Sequence, residues 1–251
     1  MTPHIPKVIH YCWFGGNPLP PMAKKCIASW KKFFPDYEIK QWDESNFDIN
    51  CIPYVKEAYS KKKYAFVSDY ARIKILYEYG GIYFDTDVEV VKSFNDILSV
   101  GAFMGCQSRY VPYQSPMKLD VNPGLGIAAP PRHEFYKELL QLYKPLHFIN
   151  KDGSLNQTTI VHHTTSLLIK KGLDNTPEIQ RIAGINIYPW DYFCPLSPTL
   201  IMDMTPNTHS IHLFSATWES KTVRLRKRIK RLLGYRVVGW LQPIILKLRK
   251  K

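Results

Sequence analysis

Asp85 and Asp87, separated only by Thr86, are the residues in this chain best placed to do chemistry. Two carboxylates at that spacing can turn toward one cation when the backbone is extended or turning. Hard divalent ions such as Mg²⁺ and Mn²⁺ take oxygen ligands, typically one or two carboxylates plus substrate phosphates. A cation held there stabilises negative charge building on a departing phosphate, an effect worth several kcal/mol. The plain alternative is a turn in which the aspartates bond to nearby backbone.

The flanking residues bear on that choice. Gly80-Gly81 precedes the apolar run Ile82-Tyr83-Phe84, which reads as a short buried strand delivering Asp85-Thr86-Asp87 at its carboxyl end. Upstream, Ser68-Asp69 is expected to cap a helix running to Tyr79, with Gly80 as a left-handed stop. That helix carries Asp69 and Arg72 three residues apart on one face. The pair is either a surface salt bridge worth about 0–1 kcal/mol or an ion pair presenting Arg72 to phosphate or sugar hydroxyls.

The elements before it set the frame. Lys7 to Trp13 is β-branched and aromatic and ends at Gly15-Gly16, a strand entering a loop. Met22, Cys26, Ile27 and Trp30 mark a helix, and Tyr37 to Trp42 alternates as a second strand. Strand–helix–strand order predicts an α/β fold with a parallel sheet, in which ligands bind beyond the carboxyl ends of strands.

Composition narrows the class. Of 251 residues, 45% are hydrophobic and 14% aromatic, which is globular. Lys221 to Lys251 hold 12 of the 34 basic residues and none of the 21 acidic ones, so residues 1–220 carry a net charge of only +1 of the total +13. Five scattered cysteines with no Cys-x-x-Cys pair argue against a disulfide framework or a zinc site and for a reducing compartment. The N-terminus lacks signal-peptide character and no stretch approaches the roughly 18 apolar residues of a membrane span, so a cytoplasmic protein is expected.

The run Ala65-Phe66-Val67-Ser68-Asp69-Tyr70-Ala71-Arg72, then Leu76, Gly80-Gly81-Ile82-Tyr83 and Asp85-Thr86-Asp87, resembles the retaining glycosyltransferases of family 32. Ile5-Pro6-Lys7-Val8-Ile9-His10 with Trp13-Phe14-Gly15-Gly16 is similar to the family's first strand, and Trp30, Pro35 and Trp42-Asp43 fit its spacing. Together these cover about the first 90 residues. Family members include the yeast initiating outer-chain mannosyltransferase, bacterial capsule-synthesis transferases and, more distantly, glucosylating clostridial toxins.

The resemblance implies a GT-A fold over residues 1–220 and a nucleotide-sugar donor. It implies that Trp13 stacks on the base, although it also suits ordinary core, and that Asp69 and Arg72 hold the donor sugar. It further implies that Tyr83 lies beneath the nucleotide and that Asp85 and Asp87 bind ribose, sugar and metal (Mn²⁺ or Mg²⁺). His10, in the matching first strand, is counted with the donor-binding residues. Asn122 in Asn122-Pro123-Gly124 suits a sugar hydroxyl or a simple turn. Ile187-Tyr188-Pro189 and Phe193-Cys194-Pro195 look like the late aromatic-proline strand. His212-Leu213-Phe214-Ser215-Ala216-Thr217-Trp218 resembles the closing His-His-x-x-x-Ser-Trp motif, with Leu213 and Thr217 as departures. It offers His212 as a third metal ligand or a plain strand residue, and Thr217 and Trp218 as donor-side residues. His162-His163 stands where the family often has Thr-Gly-Pro and is taken as structural or acceptor-facing.

Residues 221–251 interleave Val223, Leu225, Ile229, Leu232 and Leu233 with arginines and lysines, and continue with Trp240, Leu241, Ile244 and Ile245. This pattern predicts a basic amphipathic tail that lies on an anionic membrane or packs on the body. Nucleic acid is not expected as a partner, because the body is nearly neutral. The overall expectation is a peripheral, inner-face hexosyltransferase using UDP-hexose, such as UDP-galactose, on a lipid-linked oligosaccharide of bacterial capsule, exopolysaccharide or O-antigen. The alternatives are a toxin-like protein glycosyltransferase and a non-enzymatic membrane- or nucleic-acid-binding module.

Overall fold

The structure is a computed structural model that describes residues 4–108, 119–196 and 202–215. Thr217, Trp218 and the basic segment 221–251 lie outside the described residues. β1 (Val8–Cys12) leads through the Gly15-Gly16 loop to α1 (Pro21–Phe33) and β2 (Glu38–Trp42). Next come α2 (Pro53–Ser60), α3 (Tyr64–Tyr79), β3 (Gly81–Tyr83) and β4 (Val88–Val90). They are followed by α4 (Asn95–Val100), β5 (Phe103–Gly105), a 3₁₀ turn (Pro123–Leu125), β6 (Ile127–Ala129), α5 (Glu134–Tyr143) and α6 (Ile160–Lys170). β7 (Gln180–Ile182), β8 (Ile185–Tyr188), α7 (Trp190–Phe193) and β9 (Ser210–His212) complete the series.

The main sheet has strand order β2-β1-β3-β6-β5-β8-β7. β1 is parallel to β2 and β3, and β5 is parallel to β8, while β6 is antiparallel to both β3 and β5. Strands β1, β2, β3, β5 and β8 therefore all run one way, and their carboxyl ends share one edge. A separate ribbon pairs β4 with β9, setting Val88 opposite His212.

Alternation along the strands divides the core into two layers. Ile9, Tyr11, Ile82 and Phe84 pack with Trp30 on one face. Cys12 and Tyr83 join Tyr54, Val67, Ala71 and Leu76 on the other. Both layers are rich in large aromatics, so helices cover the sheet on both sides, as parallel strands require.

Three local expectations are corrected. α3 starts at Tyr64, so Ser68 and Asp69 sit inside it; Ser68 Oγ donates to the Tyr64 carbonyl at 3.0 Å and caps nothing. Burial of Val67 draws the first turn into the core. Gly80 ends the helix with φ 65° and ψ −164°, so it has the positive φ expected of a left-handed stop but lies in the glycine-only region outside the αL basin. A Cβ there would lie 2.7 Å from the Pro131 ring, so glycine is needed for space as well as for φ. The late strand ends at Tyr188, and Trp190–Phe193 form a helical turn, because Pro189 has no N–H to extend the ladder. Among the described residues no helix is long and apolar enough to cross a membrane.

Candidate active site

The site is built at the carboxyl end of β3. After Tyr83 the chain turns, with Val88 N–H donating to the Asp85 carbonyl at 3.0 Å. Asp85-Thr86-Asp87 thus form a backbone turn, but the side chains of both aspartates bond to other elements rather than to nearby backbone, and the turn presents the two carboxylates. Phe84 N–H is tied to His10 O and Asp85 N–H to Gly124 O, so β1 and the 3₁₀ turn brace the strand end.

Asp85 belongs to an ionic cluster with α3. Arg72 reaches its two oxygens at 3.3 Å through both terminal nitrogens, and Arg72 Nη2 also meets Asp69 Oδ1 at 3.1 Å. Arg72 Nε donates to the Ser68 carbonyl, and the guanidinium lies over the Tyr83 ring, 5.0 Å from its centroid. Tyr83 OH donates to Asp85 Oδ1 at 3.1 Å. Asp69 Oδ2 accepts the Ile160 N–H at the start of α6. Burial works against the Arg72 charge, but Asp85, Tyr83 and Asp69 outweigh it and hold the guanidinium firmly protonated. Burial raises Asp69 to about 6, with Arg72 and the Ile160 N–H opposing. The surface salt-bridge alternative for Asp69 and Arg72 is set aside, since both are buried.

Asp87 is held differently. His212 Nε2 lies 3.2 Å from Asp87 Oδ1, while Ser215 donates to Oδ2 from its backbone N–H at 2.8 Å and its hydroxyl at 2.9 Å. Burial opposes the Asp87 charge, yet His212 and the two Ser215 donors keep the carboxyl well below its usual range. Burial would lower His212, and Asp87 overcomes it, raising the imidazole. Asp85, Asp87 and His212 each offer one ligand atom within 4.8 Å of the others. His212 Nδ1 is buried without a hydrogen-bond partner among the described residues. Two carboxylates and an imidazole gathered this closely form a donor set that suits a divalent cation.

Other expected residues fall elsewhere. His10 is buried, with Nε2 on the Gly80 carbonyl and Nδ1 accepting from Trp42 Nε1, so both nitrogens are engaged inside the fold. Burial lowers it to about 4, which keeps it neutral. Asn122 makes its turn: Oδ1 accepts from Gly124 N–H and Nδ2 donates to Gln107, leaving the carbonyl oxygen committed. Trp13 is half-buried just past β1, with Nε1 on the Asn17 carbonyl. His162 is exposed on α6, and His163 is half-buried there. Two supports had no role assigned from sequence. A Cβ on Gly124 would lie 2.2 Å from Asp85 Oδ2, so only glycine allows that carboxylate its position. Ser215 grips Asp87 across 128 positions, a separation for which no local pattern gives a signal.

Residues 20–103 match the family described as glycosyltransferase sugar-binding region containing DXD motif. The match spans about a third of the chain and includes Asp69, Arg72, Asp85 and Asp87. The DXD region ends well before His212, which therefore joins it only through the fold. An uncharacterized glycosyltransferase of Acanthamoeba polyphaga mimivirus is 35% identical over 105 residues, covering 39% of this chain and 42% of the relative. Inositol phosphoceramide mannosyltransferase 1 of Schizosaccharomyces pombe is 28% identical over 158 residues, covering 59% of this chain and 43% of the relative. The chain thus spans less than half the length of these relatives. The solved PaToxG glycosyltransferase superposes with a TM-score of 0.50 at 21% identity, covering 67% of this chain and 71% of that one. That likeness shows the fold, which is the expected GT-A type.

Proposed function

We propose that this chain is a metal-dependent glycosyltransferase that moves a hexose from a nucleotide sugar to a saccharide acceptor. The observation that carries the reading is the convergence of Asp85, Asp87 and His212 within 4.8 Å, at the sheet edge where the DXD region ends β3. Asp85, Asp87 and His212 would hold the ion. Their mixed carboxylate and imidazole character suits Mn²⁺ better than Mg²⁺, which prefers all-oxygen shells. A bound ion supplies charge stabilisation to the departing diphosphate.

This chain's own groups do the rest. Arg72, locked by Asp69 and Asp85, is a fixed cation beside the site that needs no reorganisation as negative charge develops. Tyr83 and Gly124 hold Asp85 in one orientation, and Ser215 does the same for Asp87. Trp13, Thr217 and Trp218 complete the donor side in this reading. With no carboxylate assigned as a nucleophile, a front-face route with retention is favoured, the leaving phosphate taking the acceptor proton. Inversion at the anomeric carbon in product NMR would rule that route out.

The donor is read as a UDP-hexose, such as UDP-galactose, and the acceptor as a lipid-linked oligosaccharide. A relative named for inositol phosphoceramide, itself a lipid, supports an acceptor held at a membrane. Residues 221–251 are read as a tail that brings the catalytic domain, residues 1–220, to an anionic inner membrane face; liposome sedimentation with and without them tests this. The capsule, exopolysaccharide or O-antigen setting rests on the family resemblance alone, since the relatives described above are viral and fungal.

The deciding experiment is hydrolysis of a panel of UDP- and GDP-sugars with Mn²⁺. Turnover of at least one donor is expected, abolished by EDTA and by Asp87→Ala. Full turnover in EDTA would refute the metal reading, and no turnover of any donor would refute the enzyme reading.

A further inference from the structure

A second cavity lies along the same edge of the sheet. It has a volume of about 240 Å³ and is lined by Cys106 and Ser108 past the end of β5, by Trp190 and Asp191 past the end of β8, and by Asn175 and Glu178 from the loop before β7. Because β3, β5 and β8 run parallel, it opens at the edge that carries Asp85. Only β6 separates β3 from β5, so the ends of these two strands stand about 10 Å apart, two strand spacings, and the cavity extends from β5 toward β8.

The chain physically links the two. Asn122 donates to Gln107, which lies between the lining residues Cys106 and Ser108, and Asn122 Oδ1 fixes Gly124, the residue pressed against Asp85.

The lining chemistry selects a ligand class. Among the described residues it contains two carboxylates, Asp191 and Glu178, and no lysine, arginine or histidine, a lining that disfavours a phosphate or nucleotide. Asp191 is fixed: Oδ2 accepts from Thr205 and Asn207, and its carbonyl accepts from Thr208. Its Oδ1 accepts nothing among the described residues. Trp190 adds a broad apolar surface with a polar tip. Burial pushes the Cys106 thiol up to about 12, so this sulfur is a wall and not a nucleophile. A fixed carboxylate acceptor next to an indole, in a space for roughly eight waters at about 30 Å³ each, suits one neutral, hydroxyl-rich ring.

We infer that this cavity is the acceptor subsite, taking one pyranose ring of the saccharide that receives the transferred sugar. The inference rests on the glycosyltransferase reading for its meaning, and its test is independent of turnover. Saturation-transfer NMR on the full chain with the methyl α- and β-glycosides of galactose, glucose, mannose and N-acetylglucosamine is expected to show binding of at least one.

Asp191→Asn, which keeps the acceptor oxygen for Thr205 and Asn207, and Trp190→Ala should each weaken that binding at least tenfold. Added UDP should leave it in place. In the transfer assay both variants should raise the acceptor KM at least tenfold and leave donor hydrolysis unchanged. No binding of any glycoside, binding that is unaffected by the soluble, folded Asp191→Asn protein, or displacement by UDP would each overturn the inference. Glycoside binding together with a failure to hydrolyse any donor would leave the subsite standing and sink the proposed activity instead.

Discussion

Asp85 and Asp87 are two residues apart, yet they are held by different parts of the molecule. Asp85 is the more open, its side chain 28% exposed against 12% for Asp87, and its partners come from α3 and β3 within 13 positions of it. Asp87 is gripped by His212 and Ser215, more than 120 positions downstream, across the β4–β9 ribbon. The first carboxylate is neutralised by a permanent cation, Arg72. The second is balanced by an imidazole whose other nitrogen has no partner among the described residues. The contrast gives the pair separate duties in the proposed reaction. Asp85 belongs to a prebuilt electrostatic frame, and Asp87 with His212 is the part assembled only when β9 returns to β4.

The comparison can be broken most severely at Arg72. Arg72→Ala leaves Asp69 and Asp85 without their cation, with an expected loss of about 3–5 kcal/mol in urea unfolding. A loss below about 1 kcal/mol would mean that the cluster is not the frame described. Gly124→Ala should act on one carboxylate alone. The new Cβ displaces Asp85, and donor turnover should fall about a hundredfold, as for a displacement of about 1 Å, with little change in thermal unfolding. Unchanged turnover would show that the position of Asp85 is not critical. The mildest change is Ser215→Ala, which removes the hydroxyl and spares the backbone donor to Asp87. Mn²⁺ affinity followed by EPR should drop about tenfold, and an unaltered affinity would detach Ser215 from the metal site.

Much of the frame was legible locally. β-branched and aromatic composition marked β1, periodicity marked α1 and β2, expected cap and stop residues marked the helix before Gly80, and the Gly-Gly and apolar run placed Asp85-Thr86-Asp87 at a strand end. Asp69 and Arg72 were recognisable because residues three apart on a helix share a face. The start of α3 was misjudged because Ser68 suits a helix cap and a helix interior alike, and burial of Val67 decided between them. The partners of His10 were hidden for a related reason. Alternation shows that a strand residue faces in, and it does not show that Trp42 and the Gly80 carbonyl will take both nitrogens.

The sequence by itself determined the parallel α/β plan, the strand-end carboxylates and the Asp69–Arg72 pair, since each follows from periods of two or from positions three apart within one element. Only the tertiary structure decided that β9 returns to β4 and sets His212 and Ser215 on Asp87, that Gly124 leaves room for Asp85, and that β5 and β8 end beside a second cavity on the same edge. Those outcomes depend on strand order and on contacts between distant segments, which are settled by packing both faces of the sheet and leave no periodic trace in the chain.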